Sequence, residues 1–431
     1  MKIQSAKGTR DFYPQVMAVR NYIVDGWKAA SLRSGFEEYD GPIFEFLKMY
    51  QIKSGDEIAS QLFSFTDRGG RNFAIRPEIT PTLARMVNQQ INALPRPIKW
   101  FSLPRLCRAE RPQKGRLREF FQWNVDIIGA DDILADAEVI FTAIDYLHSA
   151  GLGPDDIVVK ISSRKMLSAI LETIGIGPDK LDAVYAVLDK KPKLPDDTFQ
   201  KMIAEQITDP AMRRRVIELM SVEAIDAIGD IVALDAAAKA AVDELRELFE
   251  TLELMGIVDF VKFDIGIVRG LAYYTGVVYE IYDRRSSLRA ICGGGRYNNL
   301  LKDFGGPSVP ATGFGMGDAV LEILLRQKGL LTDEMLSTRN IEYFIAIAGD
   351  EFKPRAVQLT TQLRLKGLAA DFSYKSTSLK KQLKAAQTAN AKYTIILGSE
   401  LTENNQLVVK DMATGNQEEI TVEAFLKKYE S

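Results

Sequence analysis

The spacing of apolar positions changes period repeatedly along the first 165 or so residues. In MAVRNYIVDGWKAASLRSG they recur three and four apart, which predicts a helix, whereas KWFSLPRLCRAE and EFFQWNVDIIG read as extended segments. After ISSRKMLSAILETIG the pattern becomes helical almost throughout. Residues from about Gly175 to Gly256 are rich in Ala, Leu, Ile, Glu, Asp and Lys with few aromatics, so a helical insertion is predicted. Strand-like sequence resumes at VKFDIGIVRGLAYYTGVVYEIYD and RAICGGGRYNNLL, as though one sheet had been interrupted, and GDAVLEILLRQKG predicts a helix. Leu330 to Asn340 reads as a linker. Beyond it, YFIAIAG, a helix from Pro354 to about Lys366, AADFSY, a helix around LKKQLKAAQTAN, and KYTIILG make a βαβαβ order and predict a small α/β domain.

Composition narrows the field mainly by exclusion. A chain of 431 residues has room for two to four domains, and 46% hydrophobic with 26% charged residues is ordinary for a soluble globular protein. The formal charge of −3 provides no global field for anions, so anion binding must come from local clusters. Two cysteines, Cys107 and Cys292, make neither a disulfide framework nor a four-ligand zinc site, and the lone His148 removes most histidine-based metal and triad chemistry. No apolar run approaches the roughly 20 residues of a membrane span, and MKIQSAKGTR lacks a signal-peptide core. The expectation is a cytoplasmic chain with no membrane partner and no zinc.

Local charge is concentrated in CRAERPQKGRLREFFQW, Cys107 to Trp123, which carries Arg108, Arg111, Lys114, Arg116 and Arg118. Strand alternation puts Phe120, Gln122, Asn124 and Asp126 on one face and Phe121, Trp123, Val125 and Ile127 on the other, so one face is core and the other faces a ligand. In the preceding strand Arg108 and Glu110 share a face, and RPQKGRL closes a hairpin. Guanidinium forks match phosphate oxygens two at a time, so an arginine-heavy hairpin favours a phosphate-bearing partner. The alternative is a solvated loop whose arginines pair with Glu110 and Glu119.

This segment resembles motif 2 of the class II aminoacyl-tRNA synthetases, in the form RAERPQKGRLREFFQ that is similar to the histidyl-tRNA synthetase family. Other stretches agree, in the family's order: KGTRDFYP at Lys7 to Pro14, GFEEYDGPIFE at Gly35 to Glu45 (similar to motif 1), IRPEITPTLAR at Ile75 to Arg85, VRGLAYYTG at Val268 to Gly276, and CGGGRYNNLL at Cys292 to Leu301. The resemblance implies an α+β catalytic domain, an antiparallel sheet with flanking helices, in two parts (1–168 and 257–329). A helical insertion (169–256) separates them, and a linker (330–340) leads to a C-terminal α/β anticodon-binding domain (341–431).

The implied activity joins L-histidine to ATP, releases pyrophosphate, and passes the aminoacyl group to the 3′ end of tRNA(His). Two anions must meet in the first step, so catalysis rests on positioning and charge neutralisation. By similarity Arg108 holds the α-phosphate, Glu110 meets the adenine amino group, Phe120 stacks under the base and Arg116 faces the outer phosphates. Arg269, just before Gly270, contacts the histidine carboxylate and the α-phosphate. Glu78, helped by Thr80, takes the substrate ammonium. Gln122 and Asp126 continue along the pocket, Asp126 and Tyr274 meet the imidazole nitrogens with Tyr273 beside them, and Gly293, Gly294 and Gly295 let the strand backbone lie against the substrate, a plain bulge being the competing account. Mg²⁺ is expected with ATP, and the family implies a homodimer. Arg111 and Lys114 in the hairpin loop, and Lys380, Lys381 and Lys384 within the basic run Lys353 to Lys392, are the expected tRNA contacts.

The pattern departs from the family in places. Ala272 stands where an acid follows RGL, and Asn298 where GGRYD has its acid. Motif 3 normally carries an arginine, whereas TGFGMGDAVLEILL has Asp318, Ala319 and Val320 there. This reads as a subfamily in which Arg296 and Arg289 are unranked candidates for the replacement cation. The departure leaves as an alternative a non-catalytic, histidyl-synthetase-like regulatory subunit of ATP phosphoribosyltransferase.

Overall fold

The computed structural model describes residues 3–52, 62–191, 194–269, 273–285, 287–336, 339–375 and 377–429. Gly270, Ala272 and the middle of the expected linker (337–338) lie outside them. Two units emerge: one holds 1–12 and 19–332, the other 13–18 and 333–431.

In the first unit the strands are β1 (Glu37–Glu38), β2 (Phe44–Phe46), β3 (Phe63–Thr66), β4 (Asn72–Ile75), β5 (Ile98–Ser102), β6 (Arg105–Cys107), β7 (Glu119–Ile128), β8 (Ile157–Ser163), β9 (Val261–Phe263), β10 (Val277–Asp283), β11 (Cys292–Arg296) and β12 (Ala311–Gly317). The main sheet runs β1-β5-β7-β12-β11-β10-β8-β9 with β6 paired to β7, and β2-β4-β3 form a small separate sheet. All neighbours from β5 to β8 are antiparallel, and only the edge pairs β1/β5 and β8/β9 are parallel. The sheet is therefore the interrupted one read in the sequence, with β9 to β12 returning to β7 and β8 after a helical excursion.

Chain chemistry explains where the excursion begins and ends. Ser163 caps the helix Arg164–Ile174 by accepting from Met166 N, and Gly175 closes it at a positive φ of 109°, a conformation glycine adopts without steric cost. Asp235 caps the long helix Ala236–Leu254 in the same way through Ala238 N. Between them lie the helices Leu181–Leu188, Asp196–Gln206 and Pro210–Leu219. Position 169, the expected start of the insertion, falls inside Arg164–Ile174, because Met166, Leu167, Ile170 and Leu171 form one continuous buried stripe.

Paired residues across adjacent strands share a face, so the register divides the sheet into two surfaces. On one surface a rung runs Ser102–Asn124–Gly315–Gly293–Glu280–Lys160 and another runs Trp100–Asp126–Gly313–Gly295–Val278–Ser162. The opposite surface carries Val125–Phe314–Gly294–Tyr279–Ile161. That apolar surface is the core. Trp123 on it stacks with Trp27 at 6.1 Å between centroids and meets the edges of Tyr146 at 5.6 Å and Phe314 at 4.9 Å. Tyr146 belongs to the helix Ile133–Ser149, capped by Asp132 through Leu134 N.

In the second unit β13 (Ile341–Ile347), β14 (Ala370–Phe372) and β15 (Ala391–Leu397) are parallel and joined by the helices Lys353–Leu365 and Leu379–Thr388. The βαβαβ order is present, and β16 (Gln406–Asp411) and β17 (Gln417–Thr421) extend the sheet antiparallel in the order β14-β13-β15-β16-β17. The helix Leu379–Thr388 buries Gln382, whose amide accepts from Ile347 N at 3.0 Å and donates to Ile347 O at 2.8 Å.

Candidate active site

The polar surface of the main sheet floors a continuous cleft with two lobes. One is lined by Phe120, Glu280, Ala319 and Val320, the other by Glu78, Thr80, Asp126, Tyr273 and Tyr274; Arg108, Glu110, Arg116, Gln122, Arg269, Arg289 and Gly293 line both. The hairpin read from the sequence supplies the first lobe. Its outgoing strand β6 stops at Cys107, and one more backbone bond, Arg108 N to Arg118 O at 2.8 Å, carries the pairing on before the loop. Arg108 and Glu110 thus lie past the strand rather than within it, yet both reach the cleft. The loop turns at Gly115, which has a φ of 72°; a Cβ there would lie 3.0 Å from Val320, so the loop tip rests on the apolar residue standing where the motif 3 arginine is missing.

Several of the hairpin's cations are engaged with the protein. Arg108 Nε donates to Pro77 O at 3.0 Å, and its guanidinium sits 5.2 Å from the centroid of the Phe120 ring. Arg116 and Glu110 form an ion pair, and Arg105 pairs with Glu119 at 2.9 Å. The solvated-loop alternative is right that Arg116 pairs with Glu110, but that pair lines a cleft; the partner of Glu119 is Arg105, on the strand before the loop and exposed. Arg111 and Lys114 are exposed on the loop, and Lys380, Lys381 and Lys384 are exposed on their helix in the second unit. In the basic run of that unit, Arg364 Nε instead donates to Ala370 O at 2.8 Å.

Arg269 has a left-handed backbone, φ 51°, which costs a non-glycine residue roughly 1–2 kcal/mol and marks a position held by its surroundings. Its guanidinium lies 3.7 Å from Glu280 and 5.2 Å from the Tyr274 centroid, and its Nη1 donates to Tyr279 O at 3.4 Å. Burial opposes its charge, but the Glu280 carboxylate and the face of the Tyr274 ring favour it, and the guanidinium stays protonated. Glycine at 293 is required here, because a Cβ would collide with this guanidinium.

In the second lobe Glu78 and Asp126 are buried carboxyls, 8% and 3% exposed. Burial pushes Glu78 up, and Arg108 and Arg269 pull it back. Asp126 has no such cation, and burial pushes it up to about 7, although the hydrogen bond from the Tyr297 hydroxyl opposes the rise. That bond uses Oδ1; Oδ2 is buried with no partner among the described residues. Tyr273 and Tyr274 are also raised by burial, so both remain neutral hydroxyls at neutral pH.

One expectation is corrected. Gly294 does not face the cleft: a Cβ there would meet the Tyr279 hydroxyl at 2.6 Å and the backbone of Gly313, on the core side. Gly293 and Gly295 lie on the cleft side of the strand. Sequence reasoning missed Tyr297, although GGRYNN was noted, and also Gly313 and Gly315. Side chains at these two glycines would run into Asp126 and Gln122, and their signal was the alternating glycines of TGFGMG. Arg296, one of two candidates for the missing cation, lies on the core surface. It is 4% exposed, bonds Asp136 through Nε at 2.8 Å and Nη2 at 2.5 Å, and donates to the carbonyls of Ala130 and Asp132.

A metal bridging nucleotide phosphates needs only one or two carboxylates. Glu280 faces the first lobe and suits that hard-oxygen role. Among the described residues no group of three or more metal-ligating side chains occurs, and no helix is long and apolar enough to cross a membrane.

Comparison with known proteins agrees with this architecture. Residues 8–318 match the family model described as histidyl-tRNA synthetase, and residues 342–431 match one described as an anticodon binding domain. The histidine–tRNA ligase of Opitutus terrae is 40% identical over 421 residues, 97% of this chain and 95% of that protein. The chloroplastic/mitochondrial histidine–tRNA ligase of Arabidopsis thaliana is 38% identical over 416 residues, 96% and 84% of the two chains. The crystal structure of histidyl-tRNA synthetase from Nostoc sp. PCC 7120 shares the fold with a TM-score of 0.81 at 21% identity, covering 100% of this chain and 99% of that one. Because the match runs nearly end to end and the cleft is built from the segments that carry the resemblance, the chain belongs to the histidyl-tRNA synthetase family.

Proposed function

We propose that this protein is a histidine–tRNA ligase that activates L-histidine with ATP and transfers it to the 3′ end of tRNA(His). The observation that carries the specificity is Asp126, a buried carboxyl lining the cleft whose Oδ2 has no partner among the described residues. An imidazole N–H is the group that such an acceptor lacks, and leaving it unpaired makes a non-hydrogen-bonding side chain a poor substitute.

In the first step a histidine carboxylate oxygen attacks the α-phosphorus, the bond from that phosphorus to the bridging oxygen breaks, and pyrophosphate leaves. Arg269 lines both lobes and holds the carboxylate and the α-phosphate together, and Arg108 takes the α-phosphate from the hairpin side. Their fixed charges act where negative charge accumulates, without solvent reorganisation. Glu78 and Thr80 bind the ammonium, and Asp126 and the neutral hydroxyl of Tyr274 take the two imidazole nitrogens, with Tyr273 and Gln122 closing the sides. Phe120 and Glu110 receive adenine, and Arg116 the outer phosphates. Mg²⁺ bound with ATP would add charge neutralisation, with Glu280 as its protein ligand. In the second step a terminal ribose hydroxyl of the tRNA attacks the acyl carbon and AMP leaves.

Arg111 and Lys114 would approach the acceptor end, and Lys380, Lys381 and Lys384 the phosphate backbone near the anticodon. The divisions 1–168, 169–256, 257–329 and 341–431 are read as the two catalytic parts, the insertion and the anticodon-binding domain, in a cytoplasmic homodimer. The test is exchange of labelled pyrophosphate into ATP across the standard amino acids. Exchange with L-histidine alone is expected; no exchange with any amino acid by folded protein that still binds histidine would favour the regulatory-subunit reading.

A further inference from the structure

A triphosphate and a carboxylate converge in this cleft, and most of its cations already have protein partners. Arg116 is paired with Glu110, Arg269 lies beside Glu280 and Tyr279 O, and Arg108 is bonded to Pro77 O. Nearby, Arg10 is held by Asp318 at 2.5 Å. Arg289 differs: it lines both lobes, is exposed, and makes no hydrogen bond or ion pair to another described residue.

Its backbone is well anchored. Arg289 lies on the connection from β10 to β11, where the buried carboxylate of Asp283 accepts from Ser287 N at 3.0 Å and from Leu288 N at 2.9 Å, and Ile291 N bonds Ile281 O at 2.7 Å. An anchored arginine with an unoccupied fork at the junction of two lobes is suited to bidentate phosphate recognition. Arg296 is unavailable for this purpose, since its guanidinium is buried against Asp136 on the other face of the sheet. Across the first lobe stand Ala319 and Val320, which offer no charge.

We propose that Arg289 is a catalytic residue of the activation step, binding the β- and γ-phosphates of ATP and the departing pyrophosphate, and so supplying from the β10–β11 connection the cation that is absent at Val320. The assignment rests on the ligase reading above. It ranks Arg289 over Arg296.

The test compares Arg289→Ala and Arg289→Lys with the unaltered protein in two assays. In histidine-dependent pyrophosphate exchange, Arg289→Ala should lower the rate by about 10²-fold. In calorimetry on full-length protein, it should weaken binding of a non-hydrolysable ATP analogue and of inorganic pyrophosphate roughly ten- to hundredfold. Histidine affinity without nucleotide and the melting temperature should be unchanged, and Arg289→Lys should recover part of the loss. Unaltered nucleotide and pyrophosphate binding in Arg289→Ala would overturn the assignment. If the unaltered protein shows no exchange with any amino acid, the ligase reading fails, while the binding comparison still decides whether Arg289 holds phosphate.

Discussion

Arg116 and Glu110 are ion-paired inside the cleft, each occupying the other's charge, and the proposed ligase function gives one to the outer phosphates and the other to adenine. Nucleotide entry therefore replaces one internal pair by two external contacts. Glu110→Gln should lower the preference for ATP over GTP about tenfold or more, because the carboxylate reads the exocyclic amine. Arg116→Ala should weaken both nucleotides equally. Exchange kinetics with the two nucleotides check this, and an unchanged ATP/GTP ratio in Glu110→Gln would remove the adenine role.

Asp126 gives a pH signature. Burial raises its carboxyl to about 7, against roughly 4 in an unfolded chain, so the folded state binds the proton more tightly. Folding stability from this group is complete below about pH 4, is lost as pH rises towards 7, and stays lost above. Asp126→Asn does not titrate, so its stability relative to the unaltered protein should climb between pH 4 and 7 by on the order of 2–4 kcal/mol and then level off. Thermal melts across that range would show it, and parallel curves would count against the buried carboxyl. The same variant should raise the KM for histidine by about 10²-fold.

Neighbouring glycines of β11 should fail differently. Gly293→Ala pushes the Arg269 guanidinium from its seat and should abolish most exchange activity while changing the melting temperature little. Gly294→Ala meets Tyr279 and Gly313 in the core and should cost about 1–3 kcal/mol of stability by overpacking. Equal stability losses in the two variants would contradict the assigned faces.

Arg296 provides a contrast to Arg289. Arg296→Met leaves Asp136, 0% exposed, as an uncompensated buried carboxylate, and should destabilise the fold by about 3–5 kcal/mol. Its KM for ATP, measured well below the melting transition, should match that of the unaltered protein. A selective rise would assign Arg296 to the nucleotide after all.

Legibility followed local marking. The two faces of β7 could be read because polar and apolar side chains alternate from Phe120 to Ile127. The order of tail elements could be read because helix and strand periods change at clear breaks. The run Gly293 to Gly295 has no side chains to mark its faces, so its sequence does not tell Gly294, on the core side, from the two glycines beside it. The pairing of Arg296 with Asp136 spans 160 residues, and the bond from Tyr297 to Asp126 spans 171. Neither leaves a trace in local spacing, since both arise from strand order in the sheet.

That strand order gives the length of the segment between Asp283 and Cys292 a chemical meaning. Side chains along β11 change face at every step, so an inserted or deleted residue that slid this strand by one position would turn Arg296 toward the substrate and Gly293 toward the helices. Every residue type would be kept and the cleft would lose its floor. The cleft thus depends on where this strand is held as much as on which side chains it carries.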